Sequence, residues 1–237
     1  MKKKTFNTFV TALLIFISSI NLFAQAEVGV GADFVNRYIW RGLDLGTAAS
    51  IQPTLALTTG GFEVGAWGSY QIGRDESSLP ADEIDIYLGY TFDVGSSSLG
   101  IILTDYYYPN GSFKFGDFDG DGNGGHTIEL GAIFSGPESF PFYISGYVNI
   151  HNDPDYSSYF ELGYSSTVND VGLDLFLGVT PGGDGAYYGT KDFNIINFGA
   201  TASKEIKITD DFALPVFSSL IFNPKQEIAY LVFGITI

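Results

Sequence analysis

Glu83-Ile84-Asp85-Ile86-Tyr87-Leu88-Gly89-Tyr90-Thr91-Phe92-Asp93 is the stretch that decides the fold. Ile84, Ile86, Leu88, Tyr90 and Phe92 take alternate positions, and Asp85, Tyr87, Gly89 and Thr91 take the others. Successive side chains of a strand point to opposite faces, so this segment has one oily and one wet face. The pattern continues toward the N-terminus. Val28, Val30, Ala32 and Phe34 oppose Gly29, Gly31 and Asp33; Ile51, Leu55 and Leu57 oppose Ser50, Gln52 and Thr54; Phe62, Val64 and Ala66 oppose Glu63, Gly65 and Trp67. It also continues toward the C-terminus. Leu99, Ile101 and Leu103 are followed by Ile128, Leu130, Ala132 and Phe134, with Thr127, Glu129 and Gly131 opposite. Phe142, Ile144, Val148 and Ile150 come next, then Phe160, Leu162 and Tyr164, with Glu161 between them. Val171 to Val179, then Ile196, Phe198, Ala200 and Ala202, and finally Leu231, Phe233, Ile235 and Ile237 complete the series. Only Phe212 to Phe222 is less regular.

This makes about twelve strands of about ten residues, an even number and a length suited to a membrane barrel. A soluble sandwich also alternates, so the connections decide. Short turns fall near Thr59-Gly60-Gly61, Asp93–Ser98, Ser135–Pro141, Asn169-Asp170 and Thr209–Asp211. Longer links fall at Arg41–Ala49, Gly73–Asp82, Pro109–Gly125 and Pro181–Lys191. The two kinds take turns, as they do when short turns face the periplasm and long loops face outward. The links near Asn152–Asp155 and Asn223–Lys225 are short for the outer side. Leu231, Phe233, Ile235 and Ile237 form an apolar file that resembles the terminal signal read by the barrel-assembly machinery, with Ile in the usual place of Phe. Tyr38, Trp40, Tyr70, Tyr90, Phe92, Phe134, Phe142, Tyr156 and Tyr164 lie near strand ends, where aromatic girdles meet membrane interfaces.

Lys2, Lys3 and Lys4, the apolar run Phe9–Phe23 and Ala24-Gln25-Ala26 have the layout of a secretory leader. The expected division is a signal peptide over 1–24, cleaved at 24/25 or 26/27, and a barrel over 25–237. The apolar run is short of the ~20 residues of a spanning helix. The chain carries 11 Lys+Arg against 27 Asp+Glu, a net charge of −16, and the leader holds three of the lysines and no acid. The exported part is therefore more acidic still, which argues against nucleic acid as a partner. Cysteine is absent, which excludes disulfides, thiolate catalysis and thiolate metal sites. No linker, charge block or exact repeat divides the chain.

If the oily face meets lipid, the wet face lines the lumen. By parity Asp33, Arg37 and Arg41 point inward from the first strand, Glu63, Trp67 and Gln71 from the third, and Glu83 and Asp85 from the fourth, joined by Glu129, Glu161 and Asp174. Arginine pairs bidentately with carboxylates. Such a network braces or plugs a pore, or forms a constriction that selects solutes by charge. Arg37, Arg41, Glu63, Asp85, Glu129 and Glu161 are the constriction candidates.

Asn36-Arg37-Tyr38-Ile39-Trp40-Arg41-Gly42, followed by Gln52-Pro53 and Gly61-Phe62-Glu63-Val64-Gly65-Ala66-Trp67-Gly68-Ser69, resembles the GCW-type family of conserved bacterial outer-membrane proteins. Glu83–Tyr87, Tyr106–Pro109 and Tyr159–Gly163 extend the likeness. Its most specific pieces hold Tyr38, Trp40, Gly42 and Trp67. The resemblance implies an outer-membrane barrel with a pore function and names no substrate.

Asp117-Phe118-Asp119-Gly120-Asp121-Gly122-Asn123 has the D-x-D-x-D-G spacing of calcium loops. The twelfth position is Ile128 rather than Glu, so an EF-hand is excluded and a partial Ca²⁺ site on Asp117, Asp119, Asp121 and Asn123 is what the spacing allows. His126 and His151 lack a companion motif for catalysis, so no enzyme is expected. The sequence thus predicts an all-β, single, transmembrane, antiparallel up-and-down barrel in the outer membrane. Its expected role is passive diffusion of small solutes without a resident cofactor; the alternative is a non-conducting structural or surface-interaction barrel with acidic, ligand-binding outer loops.

Overall fold

The structure is a computed structural model that describes residues 26–46, 48–73 and 82–237. The leader and most of the Gly73–Asp82 link lie outside the described residues. Twelve long strands form one closed barrel: β1 (Glu27–Val35), β4 (Ser50–Thr59), β5 (Phe62–Gln71), β6 (Glu83–Val94), β7 (Ser97–Tyr107), β8 (His126–Ser135), β9 (Phe142–His151), β10 (Ser158–Val168), β11 (Val171–Thr180), β12 (Asn194–Lys207), β13 (Ala213–Asn223) and β14 (Ile228–Thr236). Two short strands, β2 (Ile39–Trp40) and β3 (Leu43–Asp44), form a separate hairpin. No described residue is helical. Each long strand pairs antiparallel with the next, and β1 pairs with both β4 and β14, so no sheet edge is left open.

The seam between β1 and β14 is the shortest in register. It spans Asp33↔Thr236 to Val35↔Gly234, flanked by reciprocal bonds of 3.0 Å between the backbones of Ala32 and Ile237. Asn36 extends it after the backbone turns away. Its N–H donates to Phe233 O at 3.1 Å, its side-chain amide donates to Leu231 O at 3.2 Å, and its Oδ1 accepts from Phe233 N at 2.9 Å.

The exterior is apolar. Val28, Val30, Leu55, Ile144, Leu231 and Phe233 are each more than half exposed, and comparable residues recur on every long strand. The interior is polar: Gln52 meets Ser69, Ser165 meets Asp174, and Thr201 meets Ser219. Apolar side chains thus face outward and polar ones inward. The short turns and both ends of the barrel sequence lie at one rim, and the longer links, including the compact 152–157 and 224–227 connections, lie at the other.

Two departures from strict alternation matter. Register shifts occur between Ile128 and Glu129 opposite β9, and between Gly178 and Val179 opposite β12. The second inserts Ile196 as an extra residue. Ile195 and Phe198 face out, while Ile196 and Asn197 are both buried inside. The expectation that Ile196 belongs to the oily face is therefore corrected: a bulge locally breaks the two-residue period. The first strand is also shorter than its parity implied, ending at Val35 instead of running on through Arg41.

The inner wall is paved with tyrosines lying over glycines on the neighbouring strand. Tyr143 faces Gly163 and Tyr87 faces Gly65 in register. A methyl group added at Gly163 would sit 2.1 Å from the Tyr143 ring. Replacing Gly163 with Ala should lift that ring and cost about 1–3 kcal/mol. The same change at Gly29, where an added methyl meets nothing within 4 Å, should leave the denaturant midpoint of the micelle-folded barrel in place; equal midpoints for both variants would refute the packing role.

Candidate functional site

The chain leaves the wall at Asn36 and turns into the barrel. Arg37 pairs with Asp44, its Nε donating to Asp44 Oδ2 at 2.9 Å, which ties the two legs of the β2–β3 hairpin together. Ile39 pairs with Asp44 and Trp40 with Leu43. The two turn residues, Arg41 and Gly42, have φ of 49° and 77°. Paired left-handed residues make the tight turn whose twist matches a hairpin, and they favour glycine. Gly42 is needed for a second reason: a methyl group there would lie 2.0 Å from the carbonyl oxygen of Ile196. Asn223 Nδ2 donates to Gly42 O at 3.0 Å and fixes the tip. A left-handed arginine is uncommon, and such backbone persists where its surroundings hold it.

Glu129 supplies the hold. Arg41 Nη1 donates to Glu129 Oε2 at 2.6 Å and Nη2 to Oε1 at 2.8 Å, a bidentate fork. Tyr106 donates to Glu129 Oε1 at 2.9 Å, and Arg41 Nη1 also donates to the Tyr188 hydroxyl at 2.6 Å. The guanidinium carbon lies 4.4 Å from the Trp40 ring centre, 4.2 Å from Tyr147, 4.7 Å from Tyr159 and 5.9 Å from Tyr188. Glu129 is 2% exposed. Removing a charge pair from water costs several kcal/mol per ion, so the pair need not add net stability. The aromatic faces and the tyrosine hydroxyls replace the lost hydration, and a desolvated cation–π contact contributes about 2 kcal/mol.

Tyr188 comes from the 181–193 link, which folds inward with the hairpin. Trp40 stacks on Tyr188 at 5.7 Å, and Tyr159, Tyr188 and Ile196 form a buried apolar cluster against Trp40 and Leu43. Tyr38 packs on Trp67 at 5.3 Å. Tyr38 and Trp40 are therefore lumen residues. Their expected place in an interfacial girdle is corrected, because the segment that carries them is inserted and not part of a wall strand.

The remaining candidates spread around this seat. Glu161 accepts from Tyr143 at 2.6 Å and also bonds Tyr159 and Asn197. Glu83 and Asp85 are buried on the inner face of β6. Glu63 and Asp85 line a cavity of about 440 Å³ with Arg41, Glu129, Trp67 and Tyr106. Arg37 stands apart, at the rim, with its side chain 40% exposed. Of the two arginines, the structure thus joins Arg41 to a carboxylate across the lumen and leaves Arg37 bracing the hairpin. Tyr147, Tyr159 and Asn197 were legible as wet-face positions, whereas Tyr106 stood out only in the family likeness and Asn223 read as part of an outer link. Tyr187 and Tyr188, in an irregular link, gave no periodic signal.

At the long-loop rim, Phe118 stacks on His126 at 3.8 Å. The imidazole Nδ1 lies 2.9 Å from Asp105 and Nε2 lies 2.8 Å from the Phe115 carbonyl. Asp117 Oδ1 accepts from Asp119 N at 3.3 Å. Among the described residues no three His, Cys, Asp or Glu side chains converge as metal ligands. The acidic loop is folded over His126 as a cover.

Residues 24–121 match the family described as bacterial protein of unknown function (Gcw_chp). This is the family that the Arg37–Gly42 and Gly65–Ser69 segments resemble. The matched stretch holds the inserted hairpin, Trp67 and β4 to β7; Glu129, Tyr159 and Tyr188 lie beyond it. No curated protein matches the chain.

Truncation of one partner in a buried ion pair leaves the other charge uncompensated, at about 3–5 kcal/mol. Arg41→Ala and Glu129→Ala should each lower unfolding stability in micelles by that order. The double variant should cost much less than the sum. Additive costs would show that the two side chains act independently.

Proposed function

We propose that this chain is an exported outer-membrane barrel that passes small solutes, with the β2–β3 hairpin as its constriction. The apolar exterior supports lipid as its surroundings, since an apolar belt on every strand of a monomer in water is an aggregation surface. Strands of 9–14 residues suit the hydrocarbon thickness at a barrel's tilt. Leu231, Phe233 and Ile237 point outward near the carboxyl end, as a file read by the barrel-assembly machinery would. The short-turn rim then faces the periplasm, and the long loops face the exterior.

The observation that carries the pore reading is the inserted hairpin itself. Eight strands enclose a lumen that wall side chains fill, and sixteen or more leave an aqueous channel. Twelve strands leave intermediate room, and here Trp40, Arg41 and Tyr188 occupy it. A constriction made of a tethered hairpin, held by one ion pair, can narrow or open without disturbing the wall. The second reading is a barrel closed by the same hairpin, whose outer loops contact a partner. The burial of Arg41 and Glu129 favours it in the resting state. The acidic Asp117–Asn123 loop receives no cation in the pore reading.

Purified barrel in planar bilayers should show small unitary currents that favour cations, and Arg41→Ala should raise conductance severalfold by freeing the hairpin. Arg37→Ala, at the rim, should change it less. Silent bilayers and no liposome swelling with both the parent and Arg41→Ala would overturn the pore reading in favour of the closed barrel.

A further inference from the structure

Beside the hairpin lies the 440 Å³ cavity, lined from Arg41 to Glu63, the latter close to the Gly60-Gly61 turn. Its charges do not balance. Among the residues lining it, Arg41 is the one cation, and Arg41 is engaged in the fork with Glu129. Asp85 and Glu63 line the same space without a basic partner there. Asp85 is 9% exposed, and its Oδ1 has no hydrogen-bond partner among the described residues. Glu83, two residues along the same inward face and 1% exposed, also has an unpartnered oxygen, Oε2. The other carboxyl oxygens of this pair are engaged, since Glu83 and Asp85 hydrogen-bond each other and Tyr38 bonds Glu83. Two acids in such contact hold one proton between them, and the charge that is left is costly so far from water unless a counter-charge meets it.

The rest of the wall is aromatic. Trp67 and Tyr38 pack together beside Asp85, and Tyr87 and Tyr106 complete that side. Ring faces attract cations whose charge is spread over carbon, and a carboxylate beside aromatic rings is the recognised arrangement for quaternary ammonium groups. The protein already uses this chemistry at the hairpin, where four rings and Glu129 hold the Arg41 guanidinium. A bare metal ion would leave most of the cavity unfilled and would make no use of the rings.

We propose that this cavity is a binding site for small organic ammonium cations, with Asp85 as the counter-charge and Trp67 as the main ring contact. This deepens the pore reading by naming the class of solute that the lumen prefers. Binding at equilibrium does not require conduction, so the two fail separately: silent bilayers with saturable binding leave this site standing, and currents without binding leave the pore standing.

The chain's two tryptophans, Trp40 and Trp67, both line the cavity, so fluorescence excited selectively at tryptophan reports on this site. Micelle-folded protein titrated with choline should show a saturable change. 3,3-Dimethyl-1-butanol, which has the same shape without the charge, should show none, and sodium chloride at equal ionic strength should show none. Asp85→Asn should weaken choline binding tenfold or more, while Asp117→Asn, in the outer loop, should leave it unchanged. If Asp85→Asn fails to give the heat-modifiable folded band, Glu63→Gln should still weaken binding severalfold. No saturable response to choline, an equal response to the neutral analogue or to sodium, or unchanged affinity in the folded cavity variants would overturn the assignment.

Discussion

The bidentate contact between Arg41 and Glu129 is the interaction around which the inside of this barrel is organised. It joins a hairpin that follows the first strand to β8, on another part of the wall, and it does so with both side chains largely withdrawn from solvent. Everything near it serves that contact. Tyr106 and Tyr188 complete the hydrogen bonding, Trp40, Tyr147 and Tyr159 lay their faces on the guanidinium, and Gly42 lets the tip pass against Ile196. A buried ion pair of this kind gains little over an apolar replacement but strongly disfavours misplacement. Its contribution is to fix one position of the hairpin among many that a wide lumen would allow.

The wall is adapted to the hairpin in two places. One register shift falls at Glu129 and the other brings Ile196 inward, so both irregularities lie where the insert is seated. Bulges re-aim side chains at some cost in pairing. Here one positions the carboxylate that holds the tip, and the other presents the backbone carbonyl and side chain against which the tip packs. The outer belt stays apolar through both, because Leu130 and Phe198 still face out.

The architecture was legible because its signal repeats. Each strand restates the same two-faced period, and an even number of them with alternating short and long links leaves little choice but a barrel. Glu129, Glu161 and Asp85 were legible as inward for the same reason. What periodicity does not carry is depth. Arg37 and Arg41 have the same parity, yet one lies at the rim and the other under an aromatic cage, because the chain leaves the strand at Asn36. Tyr38 and Trp40 sit near a strand end in sequence, as girdle residues do, but the departure of the chain from the wall at Asn36 carries them inside. Tyr188 has no periodic context at all. Its place follows from the fit of a link to a hairpin more than a hundred residues away, which is tertiary information.

Asn36 has a consequence for how such a molecule is made. Its side chain lengthens a seam joining the first and last strands, elements separated by 195 residues in the contact to Leu231. Contacts of that span are slow to form, because closing so long a loop costs more conformational entropy than pairing neighbouring strands. The chain turns into the lumen at the very residue that completes the seam, and the seat of the hairpin is built from β7, β8, β9, β10, β12, β13 and the 181–193 link. The tip therefore has no assembled seat until most of the wall exists, and once the seam shuts around it the tip is enclosed. The residue that lengthens the seam is thus also the root of the insert, so closing the cylinder and filling it share one point of attachment.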